Sequence, residues 1–82
     1  MVGCSSLVSA CVLIRTRRGE FEDVVKAVRQ IKGVERAFPV LGRYDVVAEL
    51  EVSDHTELGK TVLRMSRIAG VVFTETLVEV KQ

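Results

Sequence analysis

Two short stretches, "IKGV" at 31–34 and "IAGV" at 68–71, limit the folds open to this chain more than anything else in it. Each runs from isoleucine through glycine into valine. Each also follows a segment of helical apolar spacing and opens a segment of strand-like composition. A sequence that passes twice from helix through glycine to strand is built from a repeated helix–strand unit. With a strand-like run ahead of each helix, the order becomes β-α-β-β-α-β.

The elements follow from local pattern. Val8 to Arg15 ("VSACVLIR") is apolar on both faces, as a central strand is. From Glu20 to Ile31 the apolar residues fall at Phe21, Val24, Val25, Val28 and Ile31, the stripe of an amphipathic helix. Glu20, Glu22 and Asp23 suit its first turn, Lys32 its end, and Gly33 the left-handed position that closes it. Val34 to Leu41 reads as a second strand; Pro39, which has no N–H to give a ladder, assigns it to an edge. Gly42-Arg43 fits a two-residue type II′ turn leading into a third strand, Tyr44 to Val52. Asp54 with Glu57 three residues on marks an N-cap. Leu58, Val62, Met65 and Ile68/Ala69 stripe the second helix, Gly70 ends it, and Val71 to Val80 is the last strand.

This order predicts an α+β fold, the ferredoxin-like βαββαβ plait: a four-stranded antiparallel sheet with both helices on one face. Strands one and three are then central, and Pro39 falls on an edge, where it is tolerated. Depending on register, the uncovered face carries residues such as Cys11, Leu13, Val47, Phe73 and Leu77 beside Glu49, Glu51, Glu75 and Glu79. For strand four the pattern leaves two sets in competition, Val72/Val78/Val80 against Phe73/Leu77. Eighty-two residues make one domain, 1–82 with its core at about 8–80. A chain this size buries only about 60–65% of its unfolded surface. A partly apolar open face on so small a domain predicts a two-fold dimer, sheet against sheet.

Composition narrows the function. Twelve basic against eleven acidic residues give a net charge of +1, without the basic excess of a nucleic-acid surface. Arg15, Arg17 and Arg18, and Lys60, Arg64 and Arg67 along one helix face, read as solvated charge. An RNA-binding version of this plait stacks bases on aromatics of its central strands, and "CVLIR" offers none. There is no phosphate-cradling glycine loop and no helix-turn-helix to read DNA. Cys4 and Cys11 form no CxxC pair and are expected as free thiols in the cytoplasm. "LVSAC" at 7–11 mimics a lipoprotein cleavage box, but no basic residue precedes it and the apolar run is short, so secretion is not expected. No segment has the roughly 20 apolar residues that span a bilayer. His55, the one histidine, is expected exposed at a helix start, without companions at metal-ligand spacing. No catalytic residues, metal or cofactor are assigned.

One stretch stands out: "VLGRYDVVAELEV" at 40–52, where a tyrosine and an aspartate follow a Gly-Arg turn. Either they cap a hairpin, with Asp45 bonded to the turn and Tyr44 at an interface, or they wall a binding site. Taken in order, "ACVLIRT", "GRYD" and the "TET" of the last strand resemble the effector-binding RAM domain of Lrp/AsnC (feast/famine) transcription regulators, over about residues 9–80. The resemblance implies the plait, dimers formed through the sheets, higher assemblies of dimers, and a small effector, commonly an amino acid, bound near the hairpin between dimers. It points to Gly42, Tyr44, Asp45, Thr74 and Thr76 as ligand-binding residues.

The chemistry suits an amino acid. Asp45 offers an acceptor for an ammonium, backbone N–H groups near Gly42 offer donors for a carboxylate, and Tyr44 offers an apolar wall. Thr74 and Thr76 add hydroxyls from a neighbouring subunit. Lacking the DNA-binding domain of full-length regulators, the chain is expected to sense on its own or to join such a regulator in a mixed assembly. Two alternatives stand beside this: a cofactor-free dimeric α/β-barrel enzyme of the same topology, and an assembly partner that binds no ligand. ACT-type regulatory domains share the strand order but pack differently.

Overall fold

In a computed structural model, which describes residues 7–80, the apolar run after Leu7 forms β1 (Val8–Thr16). There follow α1 (Phe21–Arg29), β2 (Val34–Pro39), β3 (Val46–Val52), α2 (His55–Ser66) and β4 (Val71–Val78). Cys4 lies outside the described residues. The sheet order is β2-β3-β1-β4 with every neighbouring pair antiparallel. This is the ferredoxin-like α+β plait, with β1 and β3 central. Pro39 is the last residue of edge strand β2, where its missing N–H leaves few ladder bonds unmade.

Alternation along the strands divides the sheet. Ala10, Val12, Ile14 and Thr16 of β1, with Val46, Ala48, Leu50 and Val52 of β3, point to the helices and are buried. Val24, Val25 and Val28 of α1 and Leu58 and Met65 of α2 close over them. Each fully buried valine, leucine, isoleucine or methionine among them stabilises by about 1.5–3 kcal/mol. Thr61 is also buried, and its hydroxyl donates to the Glu57 carbonyl at 2.9 Å; among the described residues no buried side-chain nitrogen or oxygen lacks a partner.

The register settles the two competing sets on β4. Residues opposite each other in an antiparallel pair share a face. Val12 faces Thr76 and Ile14 faces Thr74, so both threonines lie on the helix side. Arg15 faces Phe73, Leu13 faces Glu75 and Cys11 faces Leu77, so these belong to the open side. The register steps between Arg15 and Thr16, leaving Val72 as the extra residue of a bulge.

Three local expectations need correcting. Helix α1 begins at Phe21, with Glu20 in the capping position and making no side-chain cap. The two glycines do not end the helices either. Helix α1 stops at Arg29 and α2 at Ser66, and each glycine sits inside a separate turn, closed by Val34 N–H to the Ile31 carbonyl at 3.2 Å and by Val71 N–H to the Ile68 carbonyl at 3.1 Å. Gly33 has φ +99° and Gly70 φ +97°, so the repeated tetrapeptide is one turn used twice. At Gly70 an added methyl would meet a Val24 methyl at 3.2 Å and the Glu20 carboxylate at 2.7 Å. Gly70→Ala is therefore expected to destabilise by about 1–2 kcal/mol, measured by urea unfolding. A change under a few tenths would contradict the strained turn.

The hairpin also departs from expectation. The ladder stops at Val40 N–H to the Asp45 carbonyl, 2.9 Å, and no backbone bond joins Leu41 to Tyr44 among the described residues. The Asp45 N–H is taken by the Ile14 carbonyl of β1 at 2.9 Å instead of returning to Val40. The chain at 44–45 is thereby drawn towards β1, and the tight two-residue turn gives way to an open loop. The expected cap on α2 is present: the Asp54 carboxylate accepts from Glu57 N–H at 2.8 Å.

Candidate functional site

The loop between β2 and β3 sends its two adjacent polar residues to opposite sides of the sheet. Asp45 turns to the flank of α1. There it lines a hollow of about 410 Å³ with Phe21, Pro39, Val40 and Leu41. Its Oδ2 accepts the Thr16 N–H at 2.8 Å, just where the β1–β4 register steps. Asp45 thus fixes the loop to β1 by both backbone and side chain.

Tyr44 turns the other way. Its hydroxyl donates to Glu75 Oε1 on β4, spanning β1. That bond, with lesser contributions from burial and the charge of Glu75, raises the phenol above its ordinary value against the opposing pull of Arg15 and Arg43. The Arg15 guanidinium stands 5.8 Å from the centre of the Tyr44 ring. Its Nε and Nη2 donate to the Arg43 carbonyl at 3.3 and 3.2 Å. Arg15, Tyr44 and Glu75 therefore form one cluster at the hairpin end of the open face.

The five residues named from sequence do not converge within one chain. Gly42 sits at the loop tip with φ +133°, and nothing lies within 4 Å of where a side chain would begin. Thr74 and Thr76, half-buried, share the helix side with Asp45, and Ile14 of β1 stands between. Tyr44 alone reaches the open face. Arg15 and Glu75 carried no local signal in the sequence; only the register, which sets Arg15 against Phe73 and Leu13 against Glu75, brings them near Tyr44.

The rest of the open face is an apolar belt with charge at its far end. Phe38, Val47, Leu13, Cys11 and Leu77 run across it, and Phe73 and Leu77 are 52% and 50% exposed. Beyond them a shallow saddle of about 600 Å³ is bordered by Cys11, Leu77, Glu49, Glu51, Glu79 and Arg36. Arg36 pairs with Glu49 at 3.5 Å within the sheet; both are exposed, so the pair contributes at most about 1 kcal/mol.

Burial, and then the charge of Glu49, push the Cys11 thiol above its ordinary value. At pH 8 it should hold less thiolate than a free cysteine, alkylate more slowly, and show a rate profile displaced to higher pH. Iodoacetamide kinetics on a Cys4→Ser variant, which leaves one thiol, would expose any error by showing free-cysteine rates. His55 is exposed as the first residue of α2, across the sheet from Cys11. Among the described residues no three His, Cys, Asp or Glu side chains gather as a metal site, and no helix is long and apolar enough to cross a membrane.

Residues 9–82 match the family model of the Lrp/AsnC ligand binding domain. The chain belongs to that family. Lrp/AsnC proteins are transcription regulators and not enzymes, which removes the barrel-enzyme alternative. Protein TTHA0845 from Thermus thermophilus is 32% identical, with 92% of this chain and 95% of that one covered at a TM-score of 0.87. Escherichia coli AsnC is 16% identical and shares the fold, with a TM-score of 0.84 over 92% of this chain and 52% of AsnC. The regulator NMB0573 of Neisseria meningitidis, solved with L-methionine, is 19% identical, with 92% and 51% covered and a TM-score of 0.79. This Lrp/AsnC domain spans about half of those two regulators. No curated protein matches it.

Proposed function

We propose that this Lrp/AsnC domain is an amino-acid-responsive regulatory module that works as an assembly of its own copies in the cytoplasm. One observation carries the reading: a whole sheet face, apolar in its middle, is left uncovered, and it ends at the hairpin whose residues resemble the family's effector motif. Copies pack face to face over Leu13, Val47, Phe73 and Leu77, and dimers then meet at their hairpins. The effector binds there, against Tyr44, Asp45 and the Gly42 backbone, with Thr74 and Thr76 added from a neighbouring copy. That division agrees with the failure of these residues to converge within one chain. The L-methionine seen in the Neisseria regulator supports an amino acid as the effector class.

Residues 7–80 contain no helix-turn-helix, since strands β2 and β3 separate the two helices. In this reading a full-length Lrp/AsnC regulator supplies DNA contact, and the domain acts by joining it in mixed assemblies. The test is calorimetry against the twenty amino acids, with light scattering run with and without each. Binding of one or a few, with a change of assembly, supports sensing. A stable assembly that binds none at millimolar concentration removes it. The engagement of Asp45 with Thr16 N–H favours that second outcome, an assembly partner that binds no ligand.

A further inference from the structure

We infer that the outer face of α2, extended by the β1–α1 loop, is a docking surface for the phosphate backbone of duplex DNA. It lies across the sheet from the face through which copies pack, so assembly leaves it exposed. It does not depend on whether an amino acid binds.

The even total of charge conceals a separation. Lys60, Arg64 and Arg67 stand at i, i+4 and i+7, all exposed, on the side of α2 opposite its buried Leu58, Thr61 and Met65. From Leu58 to Thr74 the chain has no acidic residue. The β1–α1 loop lengthens the row. Arg17 N–H donates to the Gly70 carbonyl at 2.8 Å, which fixes exposed Arg17 and Arg18 at the end of the molecule where α2 finishes. These five cations leave seven basic against eleven acidic residues elsewhere. The nearest acids stand at the margins. Glu57 lies 3.9 Å from Lys60 at the start of α2; Glu20, with Asp23 one turn on, lies against Gly70 from the side of α1. Among the described residues none of the four arginines is in an ion pair.

The spacing suits DNA. Lys60 to Arg67 covers about 10 Å of helix, over which one DNA strand advances about three phosphates. Four of the five cations are arginines, whose planar fork meets phosphate oxygens two at a time. A membrane is a poorer match. The apolar stripe of α2 is taken up by the core, and Leu63 is the one large apolar residue of the helix left exposed. An acidic peptide would want a groove, and neither hollow described above reaches α2. Contact is with backbone and not with bases: α1 lies in the same layer, and two helices side by side are too broad for a groove about 12 Å wide. In a mixed assembly the regulator reads the sequence, and α2 adds affinity without preference.

The test is fluorescence anisotropy with two labelled duplexes of unrelated sequence, each about 20 base pairs, in about 20 to 200 mM potassium chloride. The full chain is expected to bind both alike, with a Kd of roughly 10–100 μM at low salt and a log–log salt slope of about −3 to −4. Arg64→Gln should weaken both equally and flatten the slope by about one. Arg64→Glu with Arg67→Glu should abolish binding. Lys26→Gln and Arg36→Gln, at exposed cations of α1 and β2, should keep the wild-type affinity and slope. Thermal melts confirm that each variant folds. No binding at the lowest salt would overturn the assignment and leave the row as solvated charge. So would wild-type binding by the double variant, equal competition by poly-L-glutamate at matched charge, or capture by phosphatidylglycerol vesicles that DNA does not reverse. None of these outcomes bears on amino-acid sensing, which the calorimetry decides.

Discussion

If copies pack through the sheet face as proposed, Leu13→Asp is expected to leave the protein as folded monomers. Leu13 lies on central strand β1 between Val47 and Glu75, in the middle of the uncovered face. In a lone chain the new carboxylate stays wet, so the fold loses little beyond the modest strand preference of leucine, within about 1 kcal/mol. In a face-to-face dimer it would be buried without a partner, beside Glu75. An uncompensated buried charge costs about 3–5 kcal/mol, which weakens association more than a hundredfold. Light scattering at micromolar concentration should show the monomer mass, with an unchanged far-ultraviolet circular dichroism spectrum. Leu63→Asp is the control: Leu63 is a half-exposed residue of α2, on the opposite side of the sheet. If Leu13→Asp keeps the wild-type mass while Leu63→Asp loses it, copies meet through the helices and the sheet-face dimer is wrong.

Ile14→Ala, one residue further along, tests something different. Ile14 has no exposed surface; it packs between Val46 and Thr74 beneath the helices, and its carbonyl holds the hairpin through Asp45 N–H. Truncation to alanine should cost about 2–5 kcal/mol, against a total of about 4–12 kcal/mol for a domain of this length. The denaturation midpoint should fall steeply with little change in slope, and at low protein concentration the variant approaches unfolding. Ile14→Val removes only one methyl and should cost about 0.5–1.5 kcal/mol. Equal costs for the two variants would mean that the site collapses around the gap and is not tightly packed. Adjacent residues on one strand thus report separately on assembly and on folding.

Most of the fold was legible because its signals were local. Pro39 placed β2 at an edge, Asp54 and Glu57 marked the start of α2, and the Val24, Val25 and Val28 stripe chose the buried side of α1. The inward side of strand β4 was not legible, and its bulge explains why. Val71 and Thr74 both point to the helices although they stand three positions apart, since Val72 adds one to the count. No even alternation can be read across such a step. The hairpin was misread for a related reason: the destination of Asp45 N–H depends on β1, far earlier in the chain, and turn chemistry contains no trace of it. The cluster of Arg15, Tyr44 and Glu75 draws on three separate parts of the chain, so only register could assemble it.

The order β2-β3-β1-β4 also shapes how the molecule comes into being. Among these elements β1 comes first, but both of its neighbours arrive late, and β4 comes only after the other five. Until then an apolar strand waits with the hydrogen-bonding groups of at least one edge open. Contacts so distant in sequence close slowly, and strands left in that state are prone to pair with other chains. The hairpin of β2 and β3 with α1 can organise early from near neighbours, whereas the centre of the sheet is completed last. Yield in cells should therefore depend on how quickly the final strand docks, and on chaperones that shelter the first.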